Sequence, residues 1–163
     1  MGTEIERKFL VVGDGWRAGG EGTRIRQGYL MADDARRVAI RVRVHGERAN
    51  LNIKAVRGDD LAVRDEYEYP IPLADADAML DALCMDTPIE KVRHEVRHEG
   101  MVWEVDVFEG ANAGLIVAEI ELETRGQSFA LPDWLGEEVS DDPRYLNQNL
   151  SKHPYREWEK WGP

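Results

Sequence analysis

In the stretch Glu4-Ile5-Glu6-Arg7-Lys8-Phe9-Leu10-Val11, the side chains of Glu4, Glu6 and Lys8 fall on one face of an extended strand, with Ile5 and Phe9 on the other. At a rise of 3.3–3.4 Å per residue the charged groups stand about 6.7 Å apart. One such row is ordinary, because an antiparallel sheet often wets one face. The row matters because it recurs, sorted by sign, along most of the chain.

Strand patterns follow over Thr23–Leu30, Val38–Val44, a short run around Leu51–Lys54, Val63–Ile71, Ile89–Arg97, Met101–Phe108 and Leu115–Glu123. Arg41 and Arg43 oppose Ile40, Val42 and Val44. Arg64, Glu66 and Glu68 oppose Tyr67 and Tyr69, Lys91 and Arg93 oppose Val92 and His94, Glu104 and Asp106 oppose Trp103 and Val105, and Glu119 and Glu121 oppose Ile120 and Leu122. In Thr23–Leu30, Arg24 and Arg26 compete with Gln27 and Tyr29 for the inner face, and Gly28 weakens the strand. Leu73–Leu83 reads as a helix with one apolar stripe. Leu131–Pro163 reads as irregular, with helical pieces around Trp134 and between Pro154 and Trp161. The Gly-rich run Gly13–Gly22 lacks the Gly-Lys-Ser/Thr ending of a phosphate loop.

Like charges two residues apart repel by roughly 2.5 kcal/mol per pair at an effective dielectric near 20. A solvated surface has no reason to repeat that cost in six strands, whereas a ligand-binding interior does. About eight short strands joined at hairpin length suit a closed antiparallel barrel. With the charged faces inward, acidic rows suit oxygen-seeking cations such as Mg²⁺ or Mn²⁺ and basic rows suit phosphate oxygens. Unpaired charges cannot sit in a dry core, so the interior must hold water and ligand. Ile5, Phe9, Ile40, Val42, Val44, Tyr67, Val92 and Val105 then face outward and need cover, from the helix near Met79, from the segment with Trp158 and Trp161, or from a second subunit in a homodimer.

The ordered set Glu4-x-Glu6-x-Lys8, Arg41-x-Arg43, Lys54, Glu66-x-Glu68, Lys91-x-Arg93, Glu104-x-Asp106 and Glu119-x-Glu121 resembles the CYTH superfamily, the triphosphate tunnel metalloenzymes, from about residue 2 to residue 150. Gln27-Gly28-Tyr29-Leu30 and Asp142-Pro143-Arg144-Tyr145 are similar to the short bacterial members that hydrolyse inorganic tripolyphosphate. The resemblance implies an eight-stranded tunnel with a few peripheral helices, a divalent metal and a triphosphate lying along the bore. Glu4, Glu6, Glu119 and Glu121 are then expected to hold Mg²⁺ or Mn²⁺, and Lys8, Arg41, Arg43, Lys54, Lys91 and Arg93 to grip phosphate. Glu66, Glu68, Glu104 and Asp106 are expected to orient a second metal or the attacking water, and Tyr29 either enters the tunnel or packs at a strand end. The implied reaction is hydrolysis of the terminal phosphoanhydride of tripolyphosphate. The alternatives are a class IV adenylate cyclase and a non-catalytic polyphosphate-binding module.

The bulk numbers agree. The 163 residues are expected to form a single domain spanning 1–163. A formal charge of −11 argues against duplex nucleic acid as a partner, since that needs a basic face. Charges interrupt every apolar run before the ~18 residues of a membrane-spanning helix, and no secretory signal is visible, so a cytoplasmic protein is expected. The lone Cys84 fits a reducing compartment and reads as a small apolar helix residue. His45, His94, His98 and His153 lack ligand spacing, and Trp134 is expected in a segment closing one tunnel end.

Overall fold

The computed structural model describes residues 2–158. Nine strands occur in the order β1 (Gly2–Val11), β2 (Thr23–Asp33), β3 (Val38–His45), β4 (Arg48–Val56), β5 (Val63–Pro70), β6 (Ile89–His98), β7 (Met101–Phe108), β8 (Ile116–Leu122) and β9 (Leu135–Glu138). Helix α1 (Leu73–Ala82) lies between β5 and β6, and α2 (Asn147–Lys152) and α3 (Tyr155–Trp158) follow β9. Neighbours run β5-β4-β3-β2-β6-β7-β8-β1, all antiparallel, and β1 pairs again with β5 to close an eight-stranded barrel. The expected barrel is therefore present, with β9 as an added strand.

Local chemistry accounts for the tight connections. Between β6 and β7, Glu99 and Gly100 both take positive φ (48° and 78°), as a two-residue hairpin needs to match strand twist. Strand β1 changes partners along its length. Its start pairs with β5 over Gly2–Ile5, while its end pairs with β9 at Phe9 and Val11. At the handover, the Lys8 amide donates to the Ser140 hydroxyl at 2.9 Å, so no backbone donor is stranded.

The charged rows face the bore. Outward-facing Phe9, Trp103, Val105, Ala118 and Ile120 form one apolar cluster with Trp16 and Trp134. Trp103 meets Phe9, Phe129 and Trp134 edge-on, at 5.7, 5.6 and 5.8 Å between ring centres. Val42, with Ala49, lies under Ala76 and Leu80 of α1, the cover expected of that helix. Gly28 has a reason to be glycine: a β-carbon there would stand 2.3 Å from the Cys84 sulfur, so the end of α1 can lie directly on β2. Cys84 itself sits just beyond α1 rather than inside it. Arg24 and Arg26 point outward to Glu109 and Asp81 at 3.0 and 2.8 Å, leaving the inner face to Gln27 and Tyr29. Tyr67, also outward, remains 36% exposed.

The expectation for Trp134 fails. Its ring is absorbed by the outer aromatic cluster, and a strand, β9, follows it in place of a helical piece. The end of the barrel is filled instead by Tyr145 and Leu150, packed on Ile89, Phe108, Leu115 and Val117. Trp158 backs this filling, 5.2 Å from Tyr145; Trp161 lies outside the described residues. Among the described residues, no helix is long and apolar enough to cross a membrane.

Candidate active site in the barrel lumen

Alternation along seven strands delivers one charged surface. A closed-end cavity of about 40 Å³ is lined by Glu4, Glu6, Lys8, Tyr29, Arg41, Arg43, Lys54, Arg64, Lys91, Arg93, Glu104 and Glu119, together with Leu146, Asn147 and Gln148 from the start of α2. It continues into a mouth of about 420 Å³, where Glu66, Glu68 and Glu121 join the lining. Every lumen residue expected from the sequence is brought to this bore except Asp106, whose side chain is sealed in the wall between Lys91 and Arg93.

The two sides of the bore differ in how their charges are satisfied. On β6 and β7, the Asp106 carboxylate accepts from both Nε and Nη2 of Arg93, at 2.7 and 2.8 Å, and from Lys91 Nζ at 2.7 Å. Arg93 also donates to Glu104 at 2.9 Å. Burial alone would raise Asp106, but Arg93 and Lys91 hold it well below the usual carboxylate range. Burial draws Lys91 down and Asp106 opposes it. On β3, Arg41 is buried, and among the described residues it has no ion-pair partner and its Nε has no hydrogen-bond partner. Arg43 donates Nε to the Gln27 amide oxygen at 2.8 Å and, among the described residues, pairs with no carboxylate. Burial, then repulsion from Arg41 and Arg93, pushes Arg43 down to about 9. Two neighbouring guanidiniums, one buried and one half-buried, without a counter-ion are costly unless an anion joins them.

Acids dominate the other sector. Glu6 on β1 lies directly opposite Glu121 on β8, and Lys8 opposite Glu119. Arg64 donates to Glu6 at 2.5 Å and Glu4 at 3.5 Å, and Lys54 Nζ sits 2.8 Å from Glu4. Burial would raise Glu4, but Lys54 and Arg64 hold it below its ordinary value. Burial raises Glu121, with Glu4, Glu6 and Glu66 adding to the rise, and burial with Glu119, Asp106 and Glu6 raises Glu104 against the pull of Arg93. Among the described residues, no three acids stand close enough together to ligate one ion as they are; Arg64 bridges Glu4 and Glu6, and Lys54 pairs with Glu4. The donor set still fits a hard divalent cation: all are carboxylates, and their mutual repulsion is what a cation relieves.

Two groups at this site, Gln27 and Asn147, lie outside the expected set. A third, Arg64, stands in the row of Glu66 and Glu68 that alternation turns inward, but carries no expected role. Gln27, fully buried, was left open between two faces. Asn147 could not be found by alternation, since it comes from a turn that folds back across the barrel end; its side-chain oxygen accepts from Lys91 Nζ at 3.0 Å and from Gln27 Nε2 at 3.2 Å. Tyr29 does line the closed end, with its hydroxyl 3.5 Å from Gln27 Nε2. His45 lines a separate cavity that shares only Arg93 with the mouth, and burial draws it below its ordinary value, while His94 lies outside against Trp16.

Comparison with known proteins points the same way. The model of the CYTH domain matches residues 2–154. A protein of Acetivibrio thermocellus named inorganic triphosphatase is 45% identical over 161 residues, covering 98% of this chain and all of that one. A second inorganic triphosphatase, from Nitrosomonas europaea, is 35% identical over 154 residues, 91% of this chain and 97% of its own. A crystal structure of an inorganic triphosphatase superposes with a TM-score of 0.65 at 33% identity, covering 93% of this chain and 95% of that one.

Proposed function

The chain belongs to the CYTH domain family, and from that premise we propose that it is a divalent-metal-dependent triphosphatase releasing orthophosphate from inorganic triphosphate. One observation carries the reading: among the described residues, buried Arg41 and half-buried Arg43 have no carboxylate partner, in the same bore that gathers Glu4, Glu6, Glu66 and Glu121. A lone anion would satisfy the first group and a lone cation the second. A metal-bound polyphosphate satisfies both.

Glu4, Glu6, Glu119 and Glu121 would hold the cation, Mg²⁺ or Mn²⁺ by hardness and charge, and it would supply charge neutralisation at the phosphoryl oxygens. The protein's own groups do the rest. Arg41, Arg43, Lys8, Lys54 and Arg93 fix the phosphate oxygens, with forked guanidiniums suited to bidentate contact. Lys91 and Asp106 act as positioning residues, since both are committed to each other and Asp106 orients Arg93. Glu104, raised by burial, is suited to accept a proton from water at its carboxylate oxygen, while Glu66 and Glu68 order water at the mouth. The water oxygen bonds to the terminal phosphorus, the bond to the bridging oxygen breaks, and its electrons leave with pyrophosphate, whose developing charge the arginines stabilise.

The test is phosphate release from tripolyphosphate with Mg²⁺ or Mn²⁺, beside ATP and beside Glu6→Gln. Turnover of tripolyphosphate should exceed that of ATP, and Glu6→Gln should lower it about a hundredfold, the scale of losing one contact to the transition-state charge. Equal turnover in the variant would sink the assignment of Glu6 to the metal, and cyclic AMP formed from ATP would replace hydrolysis with cyclisation.

A further inference from the structure

The bore is blind. Leu146 and Gln148 line the closed end of the lumen, and the same two residues line a separate cavity of about 140 Å³ on the far side. Lys54 and Arg64 also face both spaces, and Arg37 belongs to the outer one. A single turn of chain therefore divides what would otherwise be one cation-lined passage through the barrel. The divider is pinned on its inner side: Lys8 Nζ donates to the Tyr145 carbonyl at 3.2 Å, and Asn147 takes hydrogen bonds from Lys91 and Gln27. Leu150, fully buried, anchors the following turn among Ile89, Phe108 and Val117. At the opposite end of the lumen Glu66, Glu68 and Glu121 join the lining, beside Arg41, Arg43, Lys54 and Arg93.

We propose that the Leu146–Gln148 segment is a chain-length stop that restricts this lumen to short linear polyphosphates. Resting on the triphosphatase reading, it names what sets the length. A chain entering through the mouth advances until its leading phosphate meets Leu146 and Gln148. Phosphates within the bore lie against Arg41, Arg43, Arg93 and Lys54. Any further unit trails past these cations to the rim of the mouth, beside Glu66 and Glu68, which repel it. Opening the divider lets the chain advance past Lys54 and Arg64 toward Arg37, so its extra charge gains cationic partners.

The experiment compares tripolyphosphate with tetrapolyphosphate and long-chain polyphosphate, in the unaltered protein and in the double variant Leu146→Ala, Gln148→Ala, which keeps Tyr145, Asn147 and Leu150 as anchors. Two readouts are used: phosphate release with a divalent ion, and calorimetric binding with chelator and no metal. The unaltered protein should favour tripolyphosphate in both. In the double variant the long-chain to tripolyphosphate ratio should rise about tenfold or more in both, the effect of one added charge-assisted contact. Adding Arg37→Gln to the opened protein should cancel most of that rise without changing its tripolyphosphate values, which separates threading from a loosened fold. An unchanged ratio, or an unaltered protein that already takes long chains as readily as tripolyphosphate, overturns the stop. If the unaltered protein releases no phosphate from tripolyphosphate, the triphosphatase reading fails, and the binding ratios alone still decide the stop.

Discussion

The β6–β7 wall and the β3 wall of the lumen use the same residue types for different ends. On the first, Arg93 and Lys91 share Asp106 in a buried, closed set of hydrogen bonds. On the second, Arg41 and Arg43 have no carboxylate partner among the described residues. The difference separates charge that holds the barrel from charge kept for a ligand: a satisfied cation contributes to the ligand-free fold, whereas an unsatisfied one costs stability until an anion arrives. Mutation should therefore move the two walls in opposite directions.

The largest effect is expected at Asp106. Asp106→Asn leaves Lys91 and Arg93 buried with their counter-charge gone, a loss of about 3–5 kcal/mol. Urea unfolding of the metal-free protein measures it, and tripolyphosphate should restore part of the loss by supplying the missing anion. A variant as stable as the parent would show that water already screens this pair.

Arg41 should behave the other way. Arg41→Met removes a buried guanidinium with no ion-pair partner, so the ligand-free protein should stay as stable or gain about 1 kcal/mol, while kcat/KM for tripolyphosphate falls roughly a hundredfold or more. Unfolding and kinetics on the same preparation check both halves. Were Arg41→Met to destabilise the protein as much as Asp106→Asn, the contrast between the walls would be gone.

Much of this contrast was invisible in the sequence for a definite reason. Alternation fixes which face a side chain takes, so Glu4, Arg41, Lys91 and Glu119 could all be placed in the lumen from spacing alone. It says nothing about which charges meet across strands: Arg93 finding Asp106 depends on register, set by the Glu99-Gly100 turn and the barrel's closure. The face of Arg64 was legible by the same alternation, but its pairing with Glu4 and Glu6 was not, because it crosses from β5 to β1. The closed end was not legible, because Asn147 arrives from a segment with no periodicity, and Trp134, the aromatic that seemed fit for that task, was claimed by the apolar surface left uncovered outside Trp103.

The smallest predicted effect tests whether the unpaired wall acts beyond its own strand. Lys54 lies on β4 beside β3, and burial first, then Arg64 and Arg41, push it down to about 8 although Glu4 stands 2.8 Å away. Its unfolded value is the ordinary one near 10.4, so between pH 8 and 10 the unfolded chain holds more protons than the folded one. Below pH 8 the cost of burying the charge is present in full; as pH rises it is relieved, and metal-free stability should climb by about 1–2 kcal/mol between pH 8 and 10. Lys54→Met should flatten that climb. Arg41→Met, by removing one source of repulsion, should make it shallower without abolishing it, whereas Asp106→Asn should leave the Lys54 share unchanged. Bound tripolyphosphate should reverse the sign, because a phosphate beside Lys54 favours the charged amine and is held less tightly as that proton is lost. Unfolding curves that run parallel across this range in the parent and Lys54→Met would mean that Glu4 fully compensates the lysine, and the unpaired wall would then end at Arg41 and Arg43.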